Sequence, residues 1–313
     1  MNEEGQMTSP DGLSSDYPAD FKSGFVAILG APNVGKSTLL NCILKEKISI
    51  TSKKPQTTRN RILGVHHRET SQIVFIDTPG IHNSKKMLNA RMVEAAISAA
   101  SDVDILLFMV DVDKPDPASE NIVVKNIRKA KKPVVLALNK IDLIGKKESL
   151  LTVIDSWKEK GSFEAIVPIS AEKGEQIDDL LNVLEKFLPY GPPYYPEDSL
   201  TDLSTRFIVS EIIREKAFRF CGQEIPYSIA VTVDVFKARD SGLIDISAAI
   251  HVERESQKGI IIGKGGDKLK QIGENARKEI ELLVDAKVFL KLFVRVQKNW
   301  SNDPRALRRF GYV

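Results

Sequence analysis

Cysteine is scarce in this sequence, which has only Cys42 and Cys221 among its 313 residues. The two positions lie far apart and have none of the spacings by which cysteines bind a metal ion. We expect both to be small core residues, and the low count favours a reducing, cytoplasmic compartment.

Long apolar segments are also missing. The longest apolar runs, Ile105–Val110 and Val134–Leu138, have the length of core strands and are far too short to span a bilayer. The chain starts Met1-Asn2-Glu3-Glu4, which has neither the basic nor the apolar region of a secretory signal. We therefore expect a soluble protein without such a signal.

The sequence has little net charge, only +3. That charge is unevenly placed, because residues 201–313 carry 20 Lys and Arg against 15 Asp and Glu, a balance of +5, whereas residues 1–200 carry 25 against 27, a balance of −2. A basic C-terminal part is typical of a protein with a polyanionic partner, although by itself it is equally typical of a soluble surface.

What the sequence does contain is a regular alternation of elements over residues 21–189, after a Ser-, Asp-, Pro- and Gly-rich segment, 1–20, that predicts a flexible tail. Short β-branched runs predict strands at Phe25–Leu29, Ile73–Ile76, Ile105–Val110, Val134–Leu138 and Ile166–Ile169. Amphipathic segments between them predict helices that include Ser37–Leu44, Leu88–Ala100 and Ile177–Leu188. Together they predict an α/β domain with a doubly wound, mostly parallel sheet.

A proline-rich segment ends this pattern and predicts a semi-rigid linker, residues 190–200. The order that follows, over residues 201–298, is helix, strand, strand, glycine loop, helix and strand, which predicts a smaller α+β domain. Residues 299–313 form a basic and aromatic tail with Trp300, Arg305, Arg308, Arg309, Phe310 and Tyr312.

Periodic apolar residues support each element of the second domain. A helical stripe covers Val209, Ile213, Ala217 and Phe220, and a second one covers Leu269, Ile272, Ala276, Ile280 and Leu283. Strand alternation places three sets of residues each on one face: Ile229, Val231, Val233 and Val235; Ile244, Ile246, Ala248, Ile250 and Val252; Val288, Leu290, Leu292, Val294 and Val296.

The first chemical motif follows the first predicted strand and opens the first predicted helix. It reads Gly30-Ala31-Pro32-Asn33-Val34-Gly35-Lys36-Ser37-Thr38 and fits a phosphate-binding loop. Backbone amides of such a loop surround phosphate oxygens, Lys36 would reach the β- and γ-phosphates, and Ser37 would bind Mg²⁺. A glycine turn that merely caps a helix is the alternative.

Asp77-Thr78-Pro79-Gly80 ends another predicted strand. An aspartate there holds Mg²⁺ directly or through water. The amide of Gly80 can approach a γ-phosphate, and loss of that contact on hydrolysis can release a switch. In isolation this tetrapeptide is more often a simple turn.

Asn139-Lys140-Ile141-Asp142 follows a third strand and sets the preference for the base. The Asp142 carboxylate can accept two hydrogen bonds, from N1–H and N2–H of guanine, and adenine offers neither. The stem of Lys140 can lie along the base. Ser170-Ala171-Glu172 follows the next strand and would offer a backbone N–H to guanine O6.

The glycine loop of the second domain is Gly259-Ile260-Ile261-Ile262-Gly263-Lys264-Gly265-Gly266. A Gly-x-x-Gly loop with a basic insert lets a single-stranded RNA backbone approach, and we expect the bases to lie over an apolar groove beside the Ile260–Ile262 helix. Lys258, Lys264, Lys268 and Lys270 would supply phosphate contacts. A plain turn between helices is the alternative.

Two further basic and aromatic segments are candidate RNA surfaces. Phe289, Lys291, Phe293 and Arg295 alternate on the last strand and either stack bases or pack beneath a helix, of which we favour packing. The tail 299–313 extends the RNA surface in our prediction.

The nucleotide motifs resemble those of translation-factor-class GTPases. With Lys54-Pro55-Gln56-Thr57-Thr58-Arg59 they look more narrowly like the Era family of ribosome-assembly GTPases, and the glycine loop resembles a type II KH domain. The resemblance covers residues 22–313. It implies GTP hydrolysis with Mg²⁺ and a first switch in which Thr58, or alternatively Thr57, closes over Mg²⁺ and the γ-phosphate.

The resemblance further implies binding to single-stranded RNA at the 3′ end of 16S rRNA, a role in assembly of the 30S subunit, and peripheral contact with the inner face of the cell membrane. We expect a monomer. GTP would order the loops Lys53–Arg61 and Gly80–Lys86, and hydrolysis would loosen them and so change the orientation of the second domain.

One position departs from Ras-like enzymes, which place a water-orienting Gln directly after the glycine. Here Ile81 occupies that position, and we expect the adjacent His82 to be merely exposed. Related families with an apolar residue there use an Asn at the position of Asn33 to hold K⁺, so the resemblance implies K⁺-assisted hydrolysis.

Two other functions remain open at this point. A non-catalytic RNA-binding scaffold is disfavoured by intact Lys36, Ser37, Asp77 and Asp142, and an ATP-dependent kinase or remodelling enzyme is disfavoured by residues 139–142. A tandem GTPase is excluded because the chain has one phosphate loop.

Overall fold

The computed structural model describes residues 17–18, 20–51, 59–80, 102–145, 147–221 and 229–311. Most of the predicted N-terminal tail and the predicted helix Leu88–Ala100 lie outside the described residues. So do Thr57, Thr58, Ile81, His82 and Tyr312.

The N-terminal half is built on a six-stranded sheet in the order β2-β3-β1-β4-β5-β6. Its strands are β1 Lys22–Gly30, β2 Ile62–His67, β3 Ser71–Asp77, β4 Ile105–Asp111, β5 Val134–Asn139 and β6 Ala165–Ile169. All neighbours are parallel except β2 and β3, which are antiparallel. The five predicted strands are confirmed.

β2 is an edge strand that the sequence pattern does not predict. Gly64 interrupts its apolar run and His66-His67 ends it. The glycine is required, since a Cβ there would lie 2.7 Å from Cδ1 of both Leu40 and Leu44. Close packing of a helix onto this strand explains why the apolar pattern is broken.

Helices cover both faces of the sheet and are α1 Lys36–Leu44, α2 Pro117–Ala130, α3 Lys147–Lys160 and α4 Ile177–Phe187. Leu39 of α1 and Leu180 of α4 pack in one apolar layer, and Val123 of α2 and Trp157 of α3 pack in the other. Two apolar layers on a mostly parallel sheet are the predicted doubly wound architecture.

The proline-rich segment is fastened to the edge of this sheet. The fully buried Gln72 accepts hydrogen bonds from the amides of Tyr194 and Tyr195 at 2.7 and 3.0 Å and donates one to the carbonyl of Tyr195 at 2.7 Å. The amide of Val65 donates to the carbonyl of Leu200 at 2.9 Å. The start of the second domain is therefore held close to β2 and β3.

The second half has the predicted order of elements, with one further short helix between the second strand and Gly263. They are α5 Thr205–Phe220, β7 Ala230–Ala238, β8 Ile244–Val252, α6 Glu255–Ile262, α7 Asp267–Val284 and β9 Val288–Val296. The sheet order is β7-β8-β9, with β7 antiparallel and β9 parallel to β8. Ile272, Ala276 and Ile280 of α7 are fully buried in its core, as predicted.

One predicted face is wrong at Val235, which is 44% exposed. A bulge shifts the register between Val233 and Val235, so the phase of the strand changes and Phe236 turns toward the core instead. A two-residue period has no means of indicating this extra residue.

The tail folds back onto the outer side of this sheet through a short helix, α8 Pro304–Arg309. Trp300 is completely buried and packs with Leu307, Phe310 and Ala230 of β7. The prediction that the tail extends the RNA surface is thus wrong for Trp300 and Phe310, because their rings form a small core. Among the described residues no helix is both long and apolar enough to cross a membrane.

Candidate nucleotide and RNA sites

The predicted phosphate loop lies between the end of β1 and the start of α1. Gly35 adopts a left-handed conformation with φ 104°, and a Cβ on it would lie 2.3 Å from Nδ2 of Asn139. Asn139 in turn donates a 2.7 Å hydrogen bond to the carbonyl of Val34 and accepts one of 2.9 Å from the amide of Ala171. Asn139 therefore joins the predicted phosphate loop to the loop that follows β6.

Lys36 is buried at the first turn of α1. Its Nζ donates hydrogen bonds to the carbonyls of Ala31 and Gly30 at 2.9 and 3.2 Å. Burial lowers the pKa of Lys36 to about 8, although nearby Asp77 raises it. A bound phosphate adjacent to this side chain would favour its charged form.

Ser37 and Asp77 meet as predicted for a metal site. The hydroxyl of Ser37 donates to Oδ2 of Asp77 at 2.6 Å, and Ser49, which the sequence reasoning missed, donates to the same oxygen at 3.1 Å. A hydroxyl and a carboxylate fit Mg²⁺, which takes few protein ligands and completes its shell with phosphate and water. Within the described part of the chain, no group of three or more His, Cys, Asp or Glu is placed so that it could hold a metal ion.

The end of β3 is pressed against the phosphate loop. Thr78 donates a 2.7 Å hydrogen bond to the carbonyl of Ile28, and a Cβ on Gly80 would lie 2.7 Å from Cα of Pro32. Only glycine fits at position 80, so the backbone that leads into the second predicted switch begins in contact with the loop. Asn33, at the outer side of that loop, is exposed and has φ 64°.

The predicted base-binding residues come together at the ends of β5 and β6. Asp142 is exposed, and the hydroxyl of Ser170 donates to its Oδ1 at 2.6 Å, which fixes the carboxylate. Lys140 forms an ion pair with Asp111 at the end of β4. Asp111 was missed, although an aspartate directly after a buried strand was a signal of the same kind as Asp77.

The predicted amide donor to guanine O6 stays a prediction, and the amides of Ser170 and Ala171 both have partners within the chain. The amide of Ala171 donates to Asn139, and that of Ser170 donates to the carbonyl of Glu175 at 3.1 Å. In this loop Ser170 contributes its hydroxyl, which also accepts from the amide of Lys173 at 3.1 Å. The loop thus contacts Asp142 through the side chain of Ser170.

The glycine loop of the second domain joins α6 to α7. Gly263, Gly265 and Gly266 all have positive φ, at 74°, 62° and 86°. A Cβ on Gly263 would lie 2.7 Å from Cβ of Lys268, whereas a Cβ on Gly265 or Gly266 would meet nothing within 4 Å. The first glycine is needed for packing, and the other two present an open backbone beside Lys264.

The groove that starts at this loop runs along α7 and β9, with a volume of about 410 Å³. Its walls include Gly266, Leu269, Gly273, Arg277, Lys291 and Leu292. Ile261 is fully buried in the core and Ile260 packs against it, and the predicted groove beside Ile260–Ile262 stays a prediction. Gly259 and Ile262 lie at the opposite ends of the last turn of α6.

The outer face of β9 also differs from the favoured prediction. Phe289 and Phe293 are 55% and 40% exposed, because the helices cover the opposite face of the sheet. Packing beneath a helix is therefore wrong for these residues.

Two sets of contacts join the two halves of the chain. Buried Arg59, directly after Thr58, donates a 2.6 Å hydrogen bond from Nη1 to the carbonyl of Ile229 and lies against the rings of Phe218 and Trp300. Lys47, after α1, pairs with Glu215 of α5 at 2.7 Å and Glu279 of α7 at 2.6 Å. Both links start from segments next to the nucleotide site.

Comparison with known proteins agrees with this arrangement. A family model described as 50S ribosome-binding GTPase matches residues 25–140, and one described as KH domain matches residues 224–301. GTPase Era of Geotalea uraniireducens is 56% identical over 93% of this chain and 98% of its own length. GTPase Era of Geobacter metallireducens is 55% identical over 96% of this chain and 100% of its own length.

Solved structures match over both domains. A tyrosine-to-alanine variant of Aquifex aeolicus Era bound to GDP·AlF4⁻ superimposes with a TM-score of 0.90 at 44% identity, and covers 94% of this chain and 100% of that one. Era in complex with MgGDPNP and nucleotides 1506–1542 of 16S ribosomal RNA gives the same TM-score and identity, with coverages of 94% and 99%. Since relatives of this similarity span nearly its whole length, the chain belongs to the Era family and is a GTPase with a C-terminal KH domain.

Proposed function

We propose that this chain is a GTP-hydrolysing switch that holds the single-stranded 3′ end of 16S rRNA and assists assembly and maturation of the 30S subunit. The observation that carries the nucleotide half is the fixed carboxylate of Asp142, which Ser170 orients at 2.6 Å while Asn139 ties the same region to the phosphate loop. Base recognition and phosphate binding are thus parts of one connected unit.

Guanine specificity follows from the chemistry of Asp142. Its carboxylate accepts hydrogen bonds from guanine N1–H and N2–H, whereas adenine would leave it facing an acceptor. Lys140 is positioned by Asp111 so that its stem can lie along the base. The relatives solved with GDP·AlF4⁻ and GDPNP support guanine nucleotides as ligands.

The phosphates would lie in the loop of residues 30–38. The amides at the start of α1 point toward them, and Gly35 caps that helix without a side chain in the way. Lys36 would exchange its contacts with the loop carbonyls for the β- and γ-phosphate oxygens. In the transition state a water oxygen bonds to the γ-phosphorus as the bond to GDP breaks. The positive charge of Lys36 would stabilise the negative charge on the phosphate oxygens in that state.

Ser37 and Asp77 would hold Mg²⁺. A third ligand from the first switch, Thr58 or alternatively Thr57, remains a prediction. Bound there, Mg²⁺ would neutralise charge that develops on the β- and γ-phosphates. Ser37 and Asp77 already lie at hydrogen-bond distance, so little rearrangement is needed to bring both oxygens to one ion. The MgGDPNP in a solved relative supports this assignment.

K⁺ is the proposed substitute for an arginine finger. Ile81 has no hydrogen-bonding group with which to orient water, and exposed Asn33 lies at the outer side of the phosphate loop. An amide oxygen at that place suits a monovalent cation beside the phosphates. Asn33 and Gly80 would in this way contribute to hydrolysis through charge and positioning rather than through a proton transfer.

The RNA half rests on the glycine loop and its groove. Gly263, Lys264, Gly265 and Gly266 would clamp the sugar–phosphate backbone, with Lys268 as a further phosphate contact and Gly259 and Ile262 flanking the loop. The groove along α7 and β9 is apolar enough to hold bases and has Lys270, Arg277 and Lys291 at its walls.

The identity of the RNA is drawn from the relative solved with nucleotides 1506–1542 of 16S rRNA, which matches both domains of this chain. The family model whose description names the 50S ribosome covers only residues 25–140 and so does not include the RNA-binding half. We therefore favour the small subunit. Peripheral membrane contact, a cytoplasmic location and a monomeric state remain predictions.

Coupling between the halves would pass through Arg59. Because Arg59 follows Thr58 directly, ordering of that segment over GTP would move the residue that contacts Ile229, Phe218 and Trp300. The proline-rich segment is fastened to the sheet by Gln72, so rotation of the KH domain would start after it. Arg59 would thus connect the first switch to the KH domain by direct contact.

Phosphate release by the purified protein, measured with GTP or ATP and with or without the 16S fragment, tests this function. We expect GTP to be hydrolysed with Mg²⁺, ATP to compete poorly, and the RNA to bind with an affinity that depends on the nucleotide. A protein that binds the RNA but releases no phosphate would instead be the non-catalytic scaffold.

A further inference from the structure

The outer face of the KH-domain sheet exposes two aromatic rings on one strand. Phe289 and Phe293 of β9 are 55% and 40% exposed, and Lys291 lies between them on the same face. The alternate residues Leu290 and Leu292 pack toward the core. The period of the strand therefore places aromatic, basic and aromatic side chains in a row on the side away from the helices.

Neighbouring side chains leave the rings accessible. The parallel register pairs Lys291 with Ser247 and Phe293 with Ala249, both small residues of β8. The tail covers the other end of the same face, where Phe310 packs 4.6 Å from the ring of His251. The chain thus buries aromatic residues at one end of this face and leaves two exposed at the other, which is typical of a binding surface.

The charge of this face favours an anionic partner. Its charged side chains are the cations Lys237, Arg239, Lys291 and Arg295 and the anions Asp234 and Asp245. Arg239 pairs with Asp245 through two bonds of 2.5 and 2.6 Å, and Arg295 pairs with Asp234 at 2.9 Å. Within the described residues no carboxylate pairs with Lys291, whose Nζ lies 5.2 Å from the centroid of Phe293.

Aromatic rings interleaved with cations are what single-stranded nucleic acid requires. Bases stack on the rings and the cations contact phosphates, in a mode that tolerates many sequences. At a rise of about 3.3 Å per residue, the Cα atoms of Phe289 and Phe293 are about 13 Å apart, which is enough to receive two separate bases with Lys291 between them. Sheet-borne aromatics stack bases in the same manner in other RNA-binding domains.

The outer face is continuous with the groove already described. β9 is an edge strand of the sheet, and Leu290, Lys291 and Leu292 line the groove on its other side. Lys291 belongs to both surfaces. An RNA strand that leaves the groove over the edge of β9 arrives directly at Phe289 and Phe293.

We propose that the outer face of β9, formed by Phe289, Lys291 and Phe293, is a second RNA-binding surface that stacks bases adjacent to the segment held by the glycine loop. It rests on the proposed RNA-binding function and extends the RNA footprint beyond the groove. Arg239, whose guanidinium lies 6.0 Å from the centroid of Phe289, borders the surface at its far end.

The test uses the full-length protein and a set of 16S rRNA fragments trimmed stepwise from 1506–1542 to about four nucleotides, the length that a glycine loop clamps. The double variant Phe289→Ala/Phe293→Ala is compared with Leu282→Ala, which removes an apolar side chain that is 83% exposed on α7 of the same domain. We expect the double variant to lose at least about tenfold in affinity for the long fragments, because two rings on which bases stack are removed. We expect the shortest fragment to bind it as it binds wild type, and Leu282→Ala to match wild type throughout.

Equal affinity of the double variant and wild type for the long RNA would overturn the proposal, and so would an equal loss for long and short RNA. If wild type binds none of the fragments, the proposed function itself fails, which is a distinguishable result. Crosslinking of thiouridine-substituted RNA to the peptide of β9 supports the proposal. Concentration-dependent self-association that the double variant abolishes would assign the face to a second copy of the chain instead.

Discussion

Arg59 and Ile229 join the two halves of this protein through a hydrogen bond of 2.6 Å between Nη1 and the carbonyl oxygen. Arg59 is one residue beyond Thr58 in the predicted first switch, and Ile229 immediately precedes β7 of the KH domain. Burial of a charged side chain such as Arg59 lowers the stability of the fold unless the side chain keeps its hydrogen-bond partners. We therefore expect the position of the KH domain to depend on the switch segment.

Arg59→Ala should uncouple the two domains. Loss of a charged hydrogen bond to a buried carbonyl is expected to destabilise the protein by about 2 kcal/mol. We also expect RNA affinity to become the same with GDP and with a non-hydrolysable GTP analogue. Arg61→Ala, at an exposed position two residues along, is the control and should keep the difference. Retained nucleotide dependence in Arg59→Ala would show that coupling takes another route.

Lys47 and Glu279 form the second link between the domains. Although burial alone would raise the pKa of Glu279, hydrogen bonds from Lys216 and Lys47 hold it below its usual range. A double-mutant cycle of Lys47→Ala and Glu279→Ala in urea unfolding should give a coupling energy of about 1–3 kcal/mol. The exposed pair of Lys158 and Asp155, 2.9 Å apart on α3, should give less than about 0.5 kcal/mol. Equal values for the two pairs would rule out a special role for the interdomain pair.

Asn33 should determine the response of hydrolysis to K⁺. Because Asn33 has φ 64°, Asn33→Gly removes the amide without backbone strain, whereas Asn33→Ala adds strain. We expect both variants to turn over GTP equally slowly in K⁺ and in Na⁺, while wild type is faster in K⁺. The measurement is phosphate release in matched chloride salts. If Asn33→Gly keeps the K⁺ stimulation, Asn33 is not the K⁺ ligand.

His251 should make docking of the tail sensitive to acid. Burial, with Arg295 and Arg309 nearby, lowers the pKa of His251 to about 4, against a contribution from Asp234 that raises it. In the unfolded chain His251 binds a proton below about pH 6.5, whereas in the folded state it stays neutral down to about pH 4. The free energy of unfolding therefore falls as the pH drops below 6.5 and continues to fall toward pH 4. Between about pH 7 and pH 5 the loss is up to about 2 kcal/mol for this group.

The measurement uses Trp300, which is one of two tryptophans and is completely buried in the tail. In a Trp157→Phe background its fluorescence follows the KH domain alone during urea unfolding at about pH 7 and pH 5. His251→Gln should flatten the pH dependence, since Gln keeps a polar partner for Thr232, which lies 2.9 Å from Nε2. An unchanged pH dependence in His251→Gln would show that another group titrates.

Sequence patterns predicted most of the architecture because buried strands and phosphate-loop chemistry are local signals. The five apolar strands were found from their own residues, and Ser37, Asp77, Asn139 and Asp142 were assigned from the strand ends that precede them. In the structure some of these residues lie within hydrogen-bond distance of each other, as Ser37 and Asp77 do at 2.6 Å.

The misses have non-local causes. β2 was missed because Gly64, which interrupts its apolar pattern, is required by contact with α1, a different element of the chain. Val235 was assigned to the wrong face because of a bulge. The exposure of Phe289 depends on which face of the sheet the helices cover. The burial of Trp300 depends on a tail that returns to β7, where it meets Ala230. No periodicity within one segment carries that information.

The most direct test of this account exchanges the base specificity through Asp142→Asn. The amide places an N–H donor where guanine N2–H was accepted, and xanthine has an acceptor oxygen at that position. Binding of fluorescent GDP and XDP, measured with Mg²⁺, should show that wild type prefers GDP. The variant should lose at least about 100-fold in GDP affinity and prefer XDP. If Asp142→Asn binds GDP as tightly as wild type, this carboxylate does not recognise guanine and the account is contradicted.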